Sequence, residues 1–85
     1  MKRVKKSKAE IMKIMGSECR YARVYRMSKT LQELSDMTGI NVKTLSAFEN
    51  GRSSNLYIFY VYLTHLDNKE IARIIDSITI QSEVL

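Results

Sequence analysis

Apolar residues recur at intervals of three and four along most of this chain, which is the spacing of amphipathic helices. The first apolar stripe runs from Ile11 to Tyr25 and predicts either one long helix to about Arg26 or two helices that meet near Gly16. Ser7 can cap its start, with Glu10 at the capping-box position. The chain contains no Pro and only three Gly, so pattern and composition together predict an all-α domain.

Residues 30–39 predict a short second helix. Thr30 and Glu33 have the spacing of a capping box. Gly39 supplies a residue that can take a positive φ and end the helix. The predicted buried stripe comprises Leu31, Leu34, Met37 and Thr38.

Residues 41–51 predict a third helix directly after a sharp turn. Ile40 fills the corner and Asn41 is a good N-cap. Leu45 and Phe48 face inward at i and i+3, and Asn50-Gly51 ends the helix. Two short helices joined in this way are the arrangement by which DNA-binding domains place one helix in the major groove.

The remaining segments complete a four- to five-helix bundle. Residues 56–64 predict another helix, and Asp67 or Asn68 caps a last one. We expect residues 1–8 to form a mobile basic arm, residues 9–80 a single domain with the motif at 30–51, and residues 81–85 a tail. No apolar run approaches the roughly 20 residues that a membrane-spanning helix needs.

The segment from Glu33 to Gly51 has the pattern ELSxxTGINxxTLSxFENG. It resembles the helix-turn-helix of the Xre/Cro, or lambda-repressor-like, DNA-binding domains. The resemblance implies a lambda-repressor-like bundle with a recognition helix at 41–50 in the major groove. Two positions depart from the family: Ser35 stands in place of the usual Ala, and Leu31 in place of a Gln that commonly contacts DNA.

The family resemblance assigns base contacts to Asn41, Val42, Lys43 and Ala47, and helical geometry adds Ser46 to the same outer face. Lys43 can donate to guanine, whereas Val42 and Ala47 can contact only apolar surface such as a thymine methyl group. We therefore expect modest direct base discrimination and a large contribution from phosphates and DNA shape. The predicted phosphate contacts are Thr30, Asn50, Arg52, Ser53, Lys5 and Lys6.

The family also implies a structural ion pair between an arginine of the first helix and the Glu of the ENG ending. Here the pair would join Arg23 to Glu49. The linker that follows is one residue longer than usual in the family, so Arg20 is an alternative partner.

Charge is divided unevenly along the 85 residues. Residues 1–29 carry ten Lys or Arg against two Glu, whereas residues 30–85 carry four against seven acidic residues. The division predicts that one end of the domain meets a polyanion and the other faces solvent or a protein.

The last helix carries an apolar stripe of Ile71, Ile74, Ile75 and Ile78. The stripe can pack in the core or form the interface of a homodimer, in which two recognition helices would meet half-sites about one DNA turn apart. The aromatic residues of the preceding helix, Tyr57, Phe59, Tyr60 and Tyr62, can belong to the same interface.

The sequence favours a sequence-specific transcriptional regulator, a small phage- or mobile-element-type repressor or switch protein that binds double-stranded DNA as a homodimer. The alternative is a protein-interaction module of the same fold that binds another regulatory protein: an antirepressor, a modulator of a repressor, or an antitoxin. We expect neither an enzyme nor a cofactor, because His65 and Cys19 are single and no zinc-ligand cluster or phosphate-binding loop occurs. A lone Cys19 fits the reducing cytoplasm.

Overall fold

Helices make up most of residues 6–80, the part of the chain that the computed structural model describes. The elements are α1 (Lys8–Tyr21), which continues directly into a π-helix (Ala22–Met27), then α2 (Leu31–Thr38), α3 (Val42–Glu49), α4 (Leu56–Leu63) and α5 (Asn68–Thr79). The predicted all-α bundle is confirmed. Most of the predicted basic arm, including Lys5, and the tail at 81–85 lie outside the described residues.

Polar side chains set where the helices begin. An oxygen of the residue before each α-helix accepts a hydrogen bond from a backbone N–H of the first turn. The predicted capping boxes are both present: Ser7 with Glu10, and Thr30 with Glu33. The N–H and hydroxyl groups of Thr30 hold the pKa of the Glu33 carboxyl below its ordinary value.

Gly16 lies inside a continuous α1, so the predicted alternative of two helices meeting there is wrong. The role of Gly16 is steric. A Cβ atom at this position would lie 2.4 Å from the carbonyl oxygen of Phe48 and 2.6 Å from that of Glu49. The missing side chain therefore allows α1 to cross the C-terminal end of α3 at backbone contact distance.

The π-helix ends at Ser28, which has a left-handed backbone conformation with φ 55°. The backbone N–H of Ser28 donates to the carbonyl of Arg23, five residues earlier, as expected of π-helical geometry. Residues 28–30 then lead to α2, and the last of them, Thr30, has an extended backbone.

All five α-helices contribute to the core. Its fully buried side chains include Leu34, Leu45, Phe48, Tyr62, Ile74 and Cys19. Burial, reinforced by the Glu49 carboxylate, raises the pKa of the Cys19 thiol. Met37 departs from the predicted stripe of α2, because 51% of its surface is exposed.

The first and last described residues, Lys6 and Ile80, are in contact. The Nζ atom of Lys6 donates a hydrogen bond to the carbonyl oxygen of Ile80, just after α5. Between these two residues, none of the helices is both long and apolar enough to cross a membrane.

Candidate nucleic-acid interface

Helices α2 and α3 are each eight residues long and are joined by Gly39, Ile40 and Asn41. Gly39 has φ 76°, as predicted from its place after the α2 stripe. The Thr38 hydroxyl accepts a hydrogen bond from the N–H of Ile40 and so stabilises the turn. Leu45 and Phe48 are fully buried, which leaves the opposite side of α3 facing outward.

The outward row of α3 consists of Lys43, Ala47 and Asn50, spaced one helical turn apart. Lys43 and Asn50 are exposed, and Ala47 is half-buried. Of the other predicted base-reading positions, Asn41 is exposed, while Val42 and Ser46 are half-buried on one flank. Thr44 occupies the other flank and is exposed. Thr44 was not among the predicted positions, although it precedes the buried Leu45 by one residue and Ser46 follows Leu45 by one, so the two lie at equal angles from the inner side.

Two asparagine side chains are partly engaged inside the motif. The Asn41 Oδ1 atom accepts from the N–H of Lys43 at 2.7 Å, so its amide nitrogen is the group left for a base edge. The Asn50 Nδ2 atom lies 2.9 Å from the carbonyl oxygen of Ser46 and 3.3 Å from its hydroxyl. Asn50 therefore folds back on α3, and its donor must be released from Ser46 before it can bind a phosphate.

The turn after α3 has the hydrogen bonds of a Schellman motif. The N–H of Gly51 donates to the carbonyl of Phe48, and that of Arg52 donates to the carbonyl of Ala47. Gly51 has φ 75°, a conformation that favours glycine. Arg52 is exposed, and the Ser53 hydroxyl accepts from the N–H of Asn55.

The N-terminal end of α2 is occupied by its own capping box. The N–H of Thr30 donates to the Glu33 carboxylate at 2.8 Å, and the Thr30 hydroxyl accepts from the N–H of Glu33. A phosphate at Thr30 would have to compete with this carboxylate. Lys6, another predicted phosphate contact, is engaged by Ile80, and Lys5 lies outside the described residues.

A buried polar cluster holds the last residue of α3. Two nitrogens of Arg23 donate to the two carboxylate oxygens of Glu49, at 2.7 and 3.0 Å. A third nitrogen donates to the carbonyl of Lys29, ahead of α2. The Tyr62 hydroxyl of α4 donates to Glu49 at 2.5 Å. The expected ion pair therefore forms with Arg23, while Arg20 is exposed.

This cluster connects four segments of the chain. The Glu49 carboxylate at the end of α3 binds the π-helix through Arg23 and α4 through Tyr62, and Arg23 also binds the link to α2. The hydrogen bond to Glu49 raises the pKa of Arg23. Burial, followed by the Glu49 hydrogen bond, raises the pKa of Tyr62. The prediction that Tyr62 belongs to a dimer interface is wrong, because Tyr62 is fully buried in the core. Its bond to Glu49, 13 residues away, has no local signal in the sequence.

A second ionic network ties the π-helix to α5. Arg26 donates to Glu70 at 3.1 Å, and Arg73 donates to Glu70 and contacts Glu18 of α1, both at 3.0 Å. The guanidinium groups of Arg26 and Arg73 lie over the Tyr21 ring. Arg26 and Arg73 thus have acidic partners within the domain.

Comparison of the chain with protein-family models, curated proteins and solved structures gives no match.

Proposed function

We propose that this chain is a sequence-specific, double-stranded-DNA-binding transcriptional regulator of the Xre/Cro type, a small repressor or switch protein. The proposal rests on the contrast between the buried and the exposed sides of α3. Its inner side is buried at Leu45 and Phe48 and fixed at Glu49, whereas its outer side, centred on Lys43, is exposed at Lys43 and Asn50 within residues 6–80. A rigid helix with an open polar face is what insertion into a major groove requires.

The distribution of ion pairs supports the same function. In the described part of the chain, Arg23, Arg26 and Arg73 form salt bridges with Glu18, Glu49 and Glu70. Six other basic residues are exposed and belong to none of those bridges: Lys8, Lys13, Arg20, Lys43, Arg52 and Lys69. The acidic groups that would repel a duplex are partly neutralised inside the fold, while several cations remain available to phosphates.

The reading face is poor in hydrogen-bonding groups. Lys43 is its single charged donor, and the Asn41 amide nitrogen, Thr44 and Ser46 add neutral ones. Val42 and Ala47 offer only apolar contact. We therefore propose that recognition combines few base contacts with sequence-dependent DNA shape.

The proposal is tested by selecting bound duplexes from a random pool and then measuring affinity for the selected and for unrelated sequences. Lys43→Ala should reduce the preference for the selected sequence, because a base contact is lost. Arg52→Ala should weaken binding to all duplexes alike, because phosphates carry no sequence information. Lys69→Ala, which removes an exposed lysine from the start of α5, is the matched control.

A pool that yields no enriched sequence would contradict sequence-specific recognition. Absence of any duplex binding at low ionic strength would contradict DNA binding altogether.

A second candidate, a protein-interaction module, is favoured by the exposed face of α4. Leu56, Tyr57 and Tyr60 are 73%, 65% and 60% exposed and line a shallow apolar hollow with Phe59 and Leu63. By contrast, the predicted dimer stripe of α5 is largely internal: Ile74 is fully buried, Ile71 and Ile78 are half-buried, and Ile75 is 38% exposed. Ile74 belongs to the core and has no surface to offer a second copy.

We infer that the occupant of the α4 face is a second copy of this chain. Helix α4 contains no charged residue, so two copies can meet there without like-charge repulsion. The two exposed tyrosines and Leu56 offer roughly 350 Å² per copy, given about 150–250 Å² for a whole aromatic side chain. Two copies would bury roughly 700 Å², below the ~1,200–2,000 Å² of stable complexes. The dimer should therefore be weak in solution and strengthened when DNA holds both copies.

Sedimentation of the chain, alone and with a duplex carrying the selected site, tests this interface. Tyr60→Ser should abolish dimer formation in both conditions. Met37→Ser, which changes a similarly exposed apolar residue on α2, should leave it intact. Dimer loss in both variants, or in neither, would contradict the α4 interface, and association only with a different protein would support the interaction module.

A further inference from the structure

The N-terminal part of α1 lies directly against the turn that ends α3. A Cβ atom at Gly51 would lie 3.0 Å from Cγ of Lys13 and 3.1 Å from its Cα. Because Gly51 has no side chain, the backbone of α1 can approach this turn closely. Lys13 is thereby placed beside Gly51 and near the following residue, Arg52, although 39 positions separate Lys13 from Arg52 in the sequence.

Both side chains are exposed, and neither has an acidic partner among residues 6–80. The salt bridges of residues 6–80 include neither Lys13 nor Arg52. The carboxylates closest to Lys13 along α1 are otherwise engaged: Glu10 accepts from the N–H of Ser7, and Glu18 pairs with Arg73. Two exposed cations thus extend from neighbouring backbone positions, and residues 6–80 supply neither with a salt-bridge partner.

The backbone carbonyls of Ser46, Ala47 and Phe48 near the end of α3 do not explain why position 13 carries a lysine. The Ser46 carbonyl accepts from Asn50, that of Ala47 from Arg52, and that of Phe48 from Gly51. These backbone bonds occupy the carbonyls of Ser46, Ala47 and Phe48, so none of the three needs the Lys13 ammonium group as a donor. A negatively charged ligand would supply a counter-charge for Lys13 and Arg52.

We propose that Lys13 and Arg52 form a site for neighbouring phosphates of the DNA backbone at the C-terminal end of α3. The inference rests on the proposed DNA-binding function and extends it: α1, which the sequence motif does not include, becomes part of the interface. Its contact is independent of base sequence, since it involves only phosphates. It also fixes how far the C-terminal end of α3 can tilt out of the groove.

The test needs no knowledge of the operator. Fluorescence anisotropy of a labelled random-sequence duplex of about 30 base pairs gives the affinity from about 50 to about 500 mM KCl. Lys13→Gln should lower the slope of log affinity against log salt by about 0.9 and weaken binding about eightfold near 0.1 M salt. Lys13→Arg should retain the wild-type slope, because the charge is kept. The control Lys69→Gln removes an exposed lysine of α5 and should leave both quantities near wild type.

The possible outcomes separate this inference from the function beneath it. If Lys13→Gln matches Lys69→Gln while Arg52→Gln lowers the slope, the Lys13 site is contradicted and DNA binding stands. If Lys13→Gln lowers only the unfolding midpoint, Lys13 stabilises the helix end and the proposal fails. If the wild-type chain binds no duplex at the lowest salt concentration, the proposed function and the site fail together. A lower slope in Lys13→Gln, restored in Lys13→Arg, supports the site.

Discussion

Arg23 and Glu49 form a doubly hydrogen-bonded ion pair that connects the end of α3 to the π-helix. Their side chains are 10% and 3% exposed, so both charges are largely removed from water. Such a pair contributes little net stability compared with apolar packing, but the loss of one partner leaves a buried charge uncompensated. Its main effect is positional: Glu49 fixes the end of α3 relative to α1 and α4.

Arg23→Ala should lower the free energy of unfolding by about 3–5 kcal/mol, because the Glu49 carboxylate then remains buried without its cation. Arg20→Ala is the control, since Arg20 is exposed in the last turn of α1, three residues before Arg23, and its replacement should cost less than about 0.5 kcal/mol. Urea unfolding followed by circular dichroism measures both. Equal losses in the two variants would contradict the assignment of the ion pair to Arg23.

Tyr62→Phe should cost about 1.5–3 kcal/mol, the range for a hydrogen bond to a charged group, because Glu49 loses a donor while the ring is kept. Tyr60→Phe removes the same hydroxyl from an exposed position two residues earlier and should be nearly neutral. The same unfolding measurement compares them. A neutral Tyr62→Phe would mean that the hydroxyl contributes nothing to holding Glu49.

Gly16→Ala should destabilise the protein, although alanine is the better helix former by about 1 kcal/mol. The added methyl group would meet the carbonyl oxygens of Phe48 and Glu49 at 2.4 and 2.6 Å, so α1 and α3 must separate. Overpacking of this kind costs about 1–3 kcal/mol beyond the gain in propensity. Ser17→Ala, at the next and exposed position, should be neutral or slightly stabilising in thermal unfolding. A stabilised Gly16→Ala protein would contradict the close crossing.

The Glu70 carboxylate should make stability depend on pH. Hydrogen bonds from Arg73, and then from Arg26, lower the pKa of Glu70 in the folded chain. Stabilisation by a carboxyl with a lowered pKa is complete above the unfolded value of about 4.3 and is lost as pH falls through the folded value. The wild type should therefore melt at a higher temperature than Glu70→Gln near about pH 7, and the difference should disappear toward about pH 3.

Asp76→Asn is the matched control for Glu70→Gln. Asp76 is an exposed carboxylate of α5 that takes part in none of the salt bridges of residues 6–80. Its replacement should leave the melting temperature nearly unchanged at both pH values. A Glu70→Gln effect that persists unchanged in acid would have to come from packing and not from the ion pairs.

Local chemistry made much of the helical framework predictable. A capping oxygen with a glutamate three residues later fixed the starts of α1 and α2 at Ser7 and Thr30. Gly39 and Gly51 were expected at the ends of α2 and α3 because a positive φ favours glycine, and both have it. Each of these signals lies within a few consecutive residues, so it can be interpreted without knowledge of the tertiary structure.

Features that depend on two distant segments were not predictable. Gly16 resembles a helix break in the sequence, and only the position of α3 reveals it as a crossing point. Met37 has the right spacing for the α2 stripe, yet about half of its surface is exposed. The sequence left both Arg20 and Arg23 open as partners of Glu49. The π-helix is wider than an α-helix and changes the orientation of its residues, which spacing rules for an α-helix do not capture.

The hydrogen bond between Lys6 and the Ile80 carbonyl has a practical consequence for protein engineering. Because the two ends of the described bundle meet, a short flexible peptide could join them in a circularly permuted chain. New termini could then be opened at the exposed residues around Ser54, between α3 and α4.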